Sequence, residues 1–509
     1  MKKFLLLFGS FLLFLTFFAC TLDTQTTSAI ETTLSTTTEP VTTLSELDIP
    51  TNLAISENII TFDTVDHATK YRLYVYDESD NEIKYFNVTS GFDLLIVLQP
   101  GTYRFKIAAT ANGYLESQKS SVVESTIIDP NRISLIEGDD MNNFQYVRWL
   151  GRTYYNPMEE VKYFYFTASG LELGFFGTEL KITLKATNYN ITGKQAYVVA
   201  LIDGEEDPTK GTTIKLDQAE AEYTIVEGLT EGFHTVKLLK RSEASDSNTA
   251  VKKITTDGYF TATPAPKSFR VQFIAASSST GYGNLGSSTV AKTTDNSHGL
   301  LAFAYLTTYM LDADINIFSA SGWGVSRGYN TSGAISTTQN IPAAYEYFAI
   351  DATNSVFTGA GKWDHSDFEP NVIVVNLGTN DFNASGYNSM TTENKKIMSD
   401  RFIADYTAFL RVLNNLHPNA KIIVAYGLMN EQNTVGPFTI TAIDNANDLI
   451  GTTAIYPFLM EGAGTPPNPY GSNSHPNVGT SKNVAQDLAE LIHELTGREI
   501  VRSMITGSN

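Results

Sequence analysis

Val372-Ile373-Val374-Val375-Asn376-Leu377-Gly378-Thr379-Asn380-Asp381 is an apolar run that breaks into a glycine and three polar residues. Four consecutive β-branched residues predict a strand buried on both faces, because a half-exposed strand would alternate. Gly378 to Asp381 then cap that strand with groups that either turn the chain or bind something. The same grammar recurs nearby. Residues 269–275 and 315–320 are apolar, and they run into Ala275-Ala276-Ser277-Ser278-Ser279-Thr280-Gly281 and Ser319-Ala320-Ser321-Gly322-Trp323-Gly324. Helical spacing marks residues 300–311, 395–416 and 482–496, with Leu488, Leu491, Ile492 and Leu495 on one face of the last. Strand and helix in alternation imply a parallel sheet covered on both sides, so residues 266–509 are expected to form one α/β domain. In such sheets ligands meet the carboxyl ends of the strands, and that is where these polar stretches lie.

Upstream the period changes. Tyr71-Arg72-Leu73-Tyr74-Val75-Tyr76 and Thr102-Tyr103-Arg104-Phe105-Lys106-Ile107 alternate, the second launched by Pro100-Gly101. Residues 48–129 therefore predict a small β-sandwich. With Phe62 as an early core aromatic and Tyr103 as a corner tyrosine, this segment resembles a fibronectin type III module. Residues 130–265 are β-rich as well: 161–166, 169–178, 180–185 and 232–240 are short strand-like runs with glycine turns and no helical stretch among them. A second sandwich, of jelly-roll type, is expected there.

The N-terminus carries an address. Lys2 and Lys3 precede an apolar run, then Ala19 and Cys20, the single cysteine of the chain. A basic start, a short apolar stretch and a small residue describe a secretory signal over residues 1–20. The cysteine after the small residue resembles a bacterial lipobox, which implies lipidation of Cys20 and a membrane anchor; an uncleaved signal anchor is the alternative. Residues 21–47 are rich in Thr and Ser and poor in large apolar residues, as befits a flexible stalk. The chain is 509 residues long with a net charge of −20 and no basic run, so a nucleic-acid partner is disfavoured.

Four elements carry candidate chemistry: Ser277 after one strand, Gly324 after the next, Asn380 in Gly378-Thr379-Asn380-Asp381, and His475 in Ser474-His475-Pro476-Asn477 before the last helix. Each has a plain reading as a turn residue. Their order resembles the SGNH hydrolases, formerly GDSL esterases. Trp149-Leu150-Gly151-Arg152-Thr153, the stretch 229–236 and Trp363-Asp364 narrow the likeness to carbohydrate esterase family two, from about residue 132 to the C-terminus. The resemblance implies Ser277 as nucleophile, His475 as base, and Gly324 and Asn380 as oxyanion donors, with no cofactor or metal.

Two departures stand out. Ser472 occupies the place of the aspartate that usually orients the histidine, which implies a Ser-His dyad whose ring is held by a backbone carbonyl. Ala275-Ala276-Ser277 replaces the usual Gly-Asp-Ser, so reduced activity, or a nucleophile displaced to Ser278, is the consequence to test. Trp323 serves either as a wall for a sugar ring or as loop packing. The expected function is removal of O-acetyl groups from carbohydrate at the outer face of the bacterial membrane or as a secreted enzyme. The alternatives are a glycan-binding pseudoenzyme and an esterase of lipid or peptidoglycan substrates.

Overall fold

A computed structural model describes residues 44–506 apart from 78, 99–100, 128–132, 143–145, 330–337 and 383. The signal, Cys20, nearly all of the stalk and Pro100 lie outside the described residues.

The first folded segment places a three-stranded sheet (Ala54–Ser56, Ile59–Thr61, Phe92–Asp93) with a four-stranded one, ordered Glu82–Val88, Lys70–Tyr76, Gly101–Thr110, Val123–Ile127. All pairings are antiparallel. The alternation in the sequence now has a direction: Tyr71, Leu73 and Val75 point inward with Phe62, Phe86, Phe105 and Ile107.

The second segment is two six-stranded antiparallel sheets sharing one core. Val161–Phe164, Thr249–Thr256 and Leu180–Ala186 lie within one sheet; Tyr197–Ile202, Gly232–Lys240 and Gly170–Gly177 lie within the other. Phe164, Ile182 and Ile254 from the first meet Leu171, Val198, Val236 and Leu238 from the second.

The third segment is the expected parallel sheet. Its strands are β1 (Arg270–Ala275), β2 (Asp314–Ser319), β3 (Val372–Asn376), β4 (Lys421–Tyr426) and β5 (Ile455–Leu459), in the spatial order β2-β1-β3-β4-β5. Successive residues of β3 serve opposite cores. Ile373 and Val375 pack with helices α2 (Thr392–Leu416) and α3 (Gly436–Ile450). Val372 and Val374 pack with α1 (Phe303–Met310) and α4 (Val478–Thr496). Burial on both faces is why β3 reads as an unbroken apolar run. β5 is the strand that the sequence does not announce, since Ile455-Tyr456-Pro457-Phe458-Leu459 buries only its first residue fully. Helix α4 begins at Val478, earlier than its apolar spacing suggests, because the Asn477 side chain caps it by accepting from the Thr480 N–H at 2.9 Å. The strand order reverses between β1 and β3, so a crevice opens at their carboxyl ends. Ser277 follows β1 by two residues, and Asn380 follows β3 by four.

Candidate active site

Register decides what can meet. Ala275, the last residue of β1, pairs with Ser319 of β2 and Asn376 of β3, so the three strands stop level with one another. The chain leaves β1 through Ala276 into a 3₁₀ turn, Ser277–Thr280. Ala276 is buried in the apolar cluster around Phe318 and Ile274, which suits its methyl group. Hydroxyls tie the turn where an aspartate is usual. The Ser279 Oγ donates to the Ala276 carbonyl at 2.9 Å and lies 2.8 Å from the Ser319 Oγ, and the Thr280 Oγ1 donates to the Ser277 carbonyl at 2.8 Å.

The hydroxyl that faces His475 is that of Ser277. Its Oγ lies 2.8 Å from the His475 Nε2, while the Nδ1 lies 3.2 Å from the carbonyl oxygen of Asn473. With a carbonyl on one side, the neutral ring carries its proton on Nδ1, leaving Nε2 free to accept from the serine. Asn473 and Ser474 reach this geometry with φ of 51° and 60°. The ring stacks on Tyr282, centroids 4.2 Å apart at 26°, and the Asn473 amide donates to the Tyr282 hydroxyl at 3.3 Å. Burial pushes the His475 pKa below its ordinary value, partly opposed by the Asn473 carbonyl and by the charge of Glu243. The Ser472 hydroxyl is engaged away from the ring. The residue is fully buried, its N–H donates to the Gly283 carbonyl at 2.8 Å, and its Oγ accepts from the Asn296 amide.

The loop after β2 corrects two expectations. Gly324 is not a free donor: its N–H is engaged by the Gln339 carbonyl at 3.1 Å. The glycine is needed there for room, since a Cβ would lie 2.2 Å from the Arg327 carbonyl oxygen and 2.3 Å from a carboxylate oxygen of Asp381. Gly322, at φ 84°, is the glycine of this loop whose N–H has no partner among the described residues. Trp323 is not a sugar wall. It is 3% exposed, packs among Val325, Ile341 and Ile350, and donates from Nε1 to the Asn354 side chain at 2.8 Å.

Asn380 and Asp381 hold that loop. One N–H of the Asn380 amide donates to the Trp323 carbonyl at 2.7 Å, and its second N–H remains to donate elsewhere. Asp381 is fully buried and accepts from the N–H groups of Val325, Ser326 and Arg327 at 2.9, 2.7 and 3.0 Å. Burial raises its pKa to about 6 against those three bonds. Sequence reasoning assigns no role to Tyr282 or Gly322; glycines on both sides of Tyr282 are the available signal for a loop pressed against other backbone. The arrangement offers an alcohol and a base 2.8 Å apart beyond the carboxyl ends of the strands, which is the equipment for nucleophilic acyl transfer.

The family model described as Carbohydrate esterase 2 N-terminal matches residues 149–266. The chain is 27% identical over 338 residues to a cellulase/esterase, CelE, of Acetivibrio thermocellus, covering 65% of this chain and 37% of the relative. It is 28% identical over 218 residues to an acetylxylan esterase / glucomannan deacetylase of Cellvibrio japonicus, covering 42% and 56%. The chain thus spans only about a third to a half of the length of these relatives. Among solved structures, a family two carbohydrate esterase from Clostridium thermocellum in complex with cellohexaose superposes with a TM-score of 0.58 at 24% identity, over 69% of this chain and 100% of the other. An acetyl xylan esterase from Butyrivibrio proteoclasticus does so with a TM-score of 0.59 at 22% identity, over 72% and 99%. These structural likenesses speak for the fold, and the sequence matches carry the relationship. On these grounds residues 149–266 match the N-terminal domain of carbohydrate esterase family two, and the chain resembles esterases of that family.

Proposed function

We propose that this chain is a carbohydrate esterase that removes O-acetyl groups from polysaccharide or oligosaccharide through an acyl-enzyme on Ser277. The observation that carries the reading is the 2.8 Å approach of the Ser277 Oγ to the His475 Nε2, with the ring's other nitrogen held by a carbonyl. His475 takes the hydroxyl proton as the Ser277 oxygen adds to the acetyl carbonyl. The N–H groups of Ser277 and Gly322 and the free N–H of the Asn380 amide receive the oxyanion. As the tetrahedral adduct collapses, the sugar oxygen leaves with the proton from His475. Water, deprotonated by the same ring, then releases acetate and restores the serine.

The carbohydrate substrate is argued from the relatives, whose names include acetylxylan and glucomannan. Segments 48–129, 130–265 and 266–509 read as a fibronectin type III-like spacer, a jelly-roll domain and the catalytic domain. Export and a lipid anchor at Cys20 follow from the signal-like N-terminus. Acetate release from acetylated xylan and glucomannan tests the reaction. Wild type is expected to be active and Ser277→Ala and His475→Ala silent. Equal silence in all three, with glycan binding retained, would make the chain a binding protein. Radiolabelled fatty acid incorporated by cells expressing the chain, and lost in Cys20→Ala, tests the anchor.

A further inference from the structure

The Ser-His pair has no carboxylate of its own loop behind it, yet a buried carboxylate stands beside the site. It comes from the other domain. Strand Gly232–Lys240 of the second sandwich ends in Arg241-Ser242-Glu243-Ala244-Ser245-Asp246, and this stretch is fastened to the catalytic domain. The Arg241 Nε donates to the Ser297 carbonyl at 2.8 Å, and the Arg241 carbonyl accepts from the Gly299 N–H at 2.9 Å. Glu243 is 3% exposed. One carboxylate oxygen accepts from the Ser321 hydroxyl, the residue immediately before Gly322. The other lies 2.9 Å from the Lys292 Nζ, which also meets Asp246 at 2.5 Å. The Lys292 ammonium in turn sits 5.4 Å from the centroid of Tyr282, the ring stacked on His475.

Glu243 therefore touches both arms of the site: one through Ser321 to the Gly322 N–H, the other through Lys292 and Tyr282 to the imidazole. Resting on the esterase reading above, we propose that Glu243 of the sandwich domain is a positioning residue for catalysis, holding the Ser321-Gly322 turn in register with the Ser277–His475 pair. A buried carboxylate with two committed partners is suited to this, because each oxygen fixes one element and neither is free to rotate away. A role confined to joining the domains would need only the Lys292 contact.

Full-length protein distinguishes the two. Ser321→Ala cuts one arm and leaves the ion pair intact. It is expected to lower kcat for acetate release about 10-fold with KM little changed, in a protein that stays folded with Tm down by about a few degrees, a part of the loss that follows removal of an oxyanion donor. Ser321→Thr, which keeps the hydroxyl, is expected to restore most of it. Glu243→Gln is expected to lower kcat at least as far, and adding Ser321→Ala to it should cost little more, since one linkage is already broken. If Glu243→Gln does not fold, Ser321→Ala decides alone. Wild-type kcat in folded Ser321→Ala, or a loss that lies wholly in KM, overturns the proposal. Wild type matched by Ser277→Ala overturns the esterase reading instead, so the two failures are told apart.

Discussion

Asn380 uses one amide hydrogen on the Trp323 carbonyl and has one left, so its contribution is separable from that of the serine. Asn380→Ala should lower kcat by about 100- to 1,000-fold, the usual cost of one oxyanion donor, while Ser277 still reacts with a small active-site acylating reagent. Full retention of kcat would exclude the amide from the site. His475 bears on pH. Its neutral form is the base, and burial disfavours the imidazolium, so the acid limb of kcat/KM should have its midpoint below about 6.5. A midpoint at or above that value would contradict the burial argument. Ser277 and Asn380 are visible as candidates in the sequence because each follows an apolar run, and His475 because it stands just before the last helix. The surroundings of Trp323 and Gly324 are not. A glycine and a tryptophan in a loop give no sign of which neighbour will press on them, and here Asp381 and the Ile341 and Ile350 core do so.

At the scale of elements, the loop after β2 is held by the Asn380-Asp381 turn at the end of β3. Asp381 supplies three of its bonds. Asp381→Ala leaves three N–H groups unpaired in a buried loop and should lower stability by about 2–4 kcal/mol. The sign with pH follows from the raised pKa of about 6. The carboxyl prefers its protonated form in the folded state, so its stabilising share is full below about pH 4 and is lost as pH rises through about 6. The deficit of the variant, read from denaturant midpoints, should therefore be larger in acid than at neutrality. Gly324→Ala should damage the same loop sterically and lower both Tm and kcat; a variant with native values of both would remove the close-approach argument. The strands themselves are plain from their apolar runs. β5 is not, since it mixes exposed and buried residues and contains a proline.

For the molecule as a whole, the second sandwich and the parallel sheet share packing, with Phe166, Val199 and Leu239 of the sandwich in the clusters that cover the sheet. Arg152 of the second sandwich is wholly buried against the parallel-sheet domain. Its guanidinium lies 4.2, 4.6 and 4.0 Å from the ring centroids of Phe318, Tyr345 and Trp363, and its Nη1 donates to the carbonyls of Tyr345 and Tyr347 at 2.6 and 2.5 Å. Arg152→Ala should cost about 3 kcal/mol, from the cavity and the orphaned carbonyls together. Arg152→Lys should recover little, because an ammonium has no flat face to lie among three rings. Calorimetry should show the second sandwich and the parallel-sheet domain melting in one transition in the wild type. Contacts between distant stretches of this kind are invisible to periodicity, which sees only what is near in the chain. Arg152 stands within Trp149-Leu150-Gly151-Arg152-Thr153 with nothing around it to say that its destination lies about two hundred residues away. With an arginine key on one side and a three-ring lock on the other, a lineage that exchanged only one half would inherit a misfit, so recombination should pass this pair on as a single cassette.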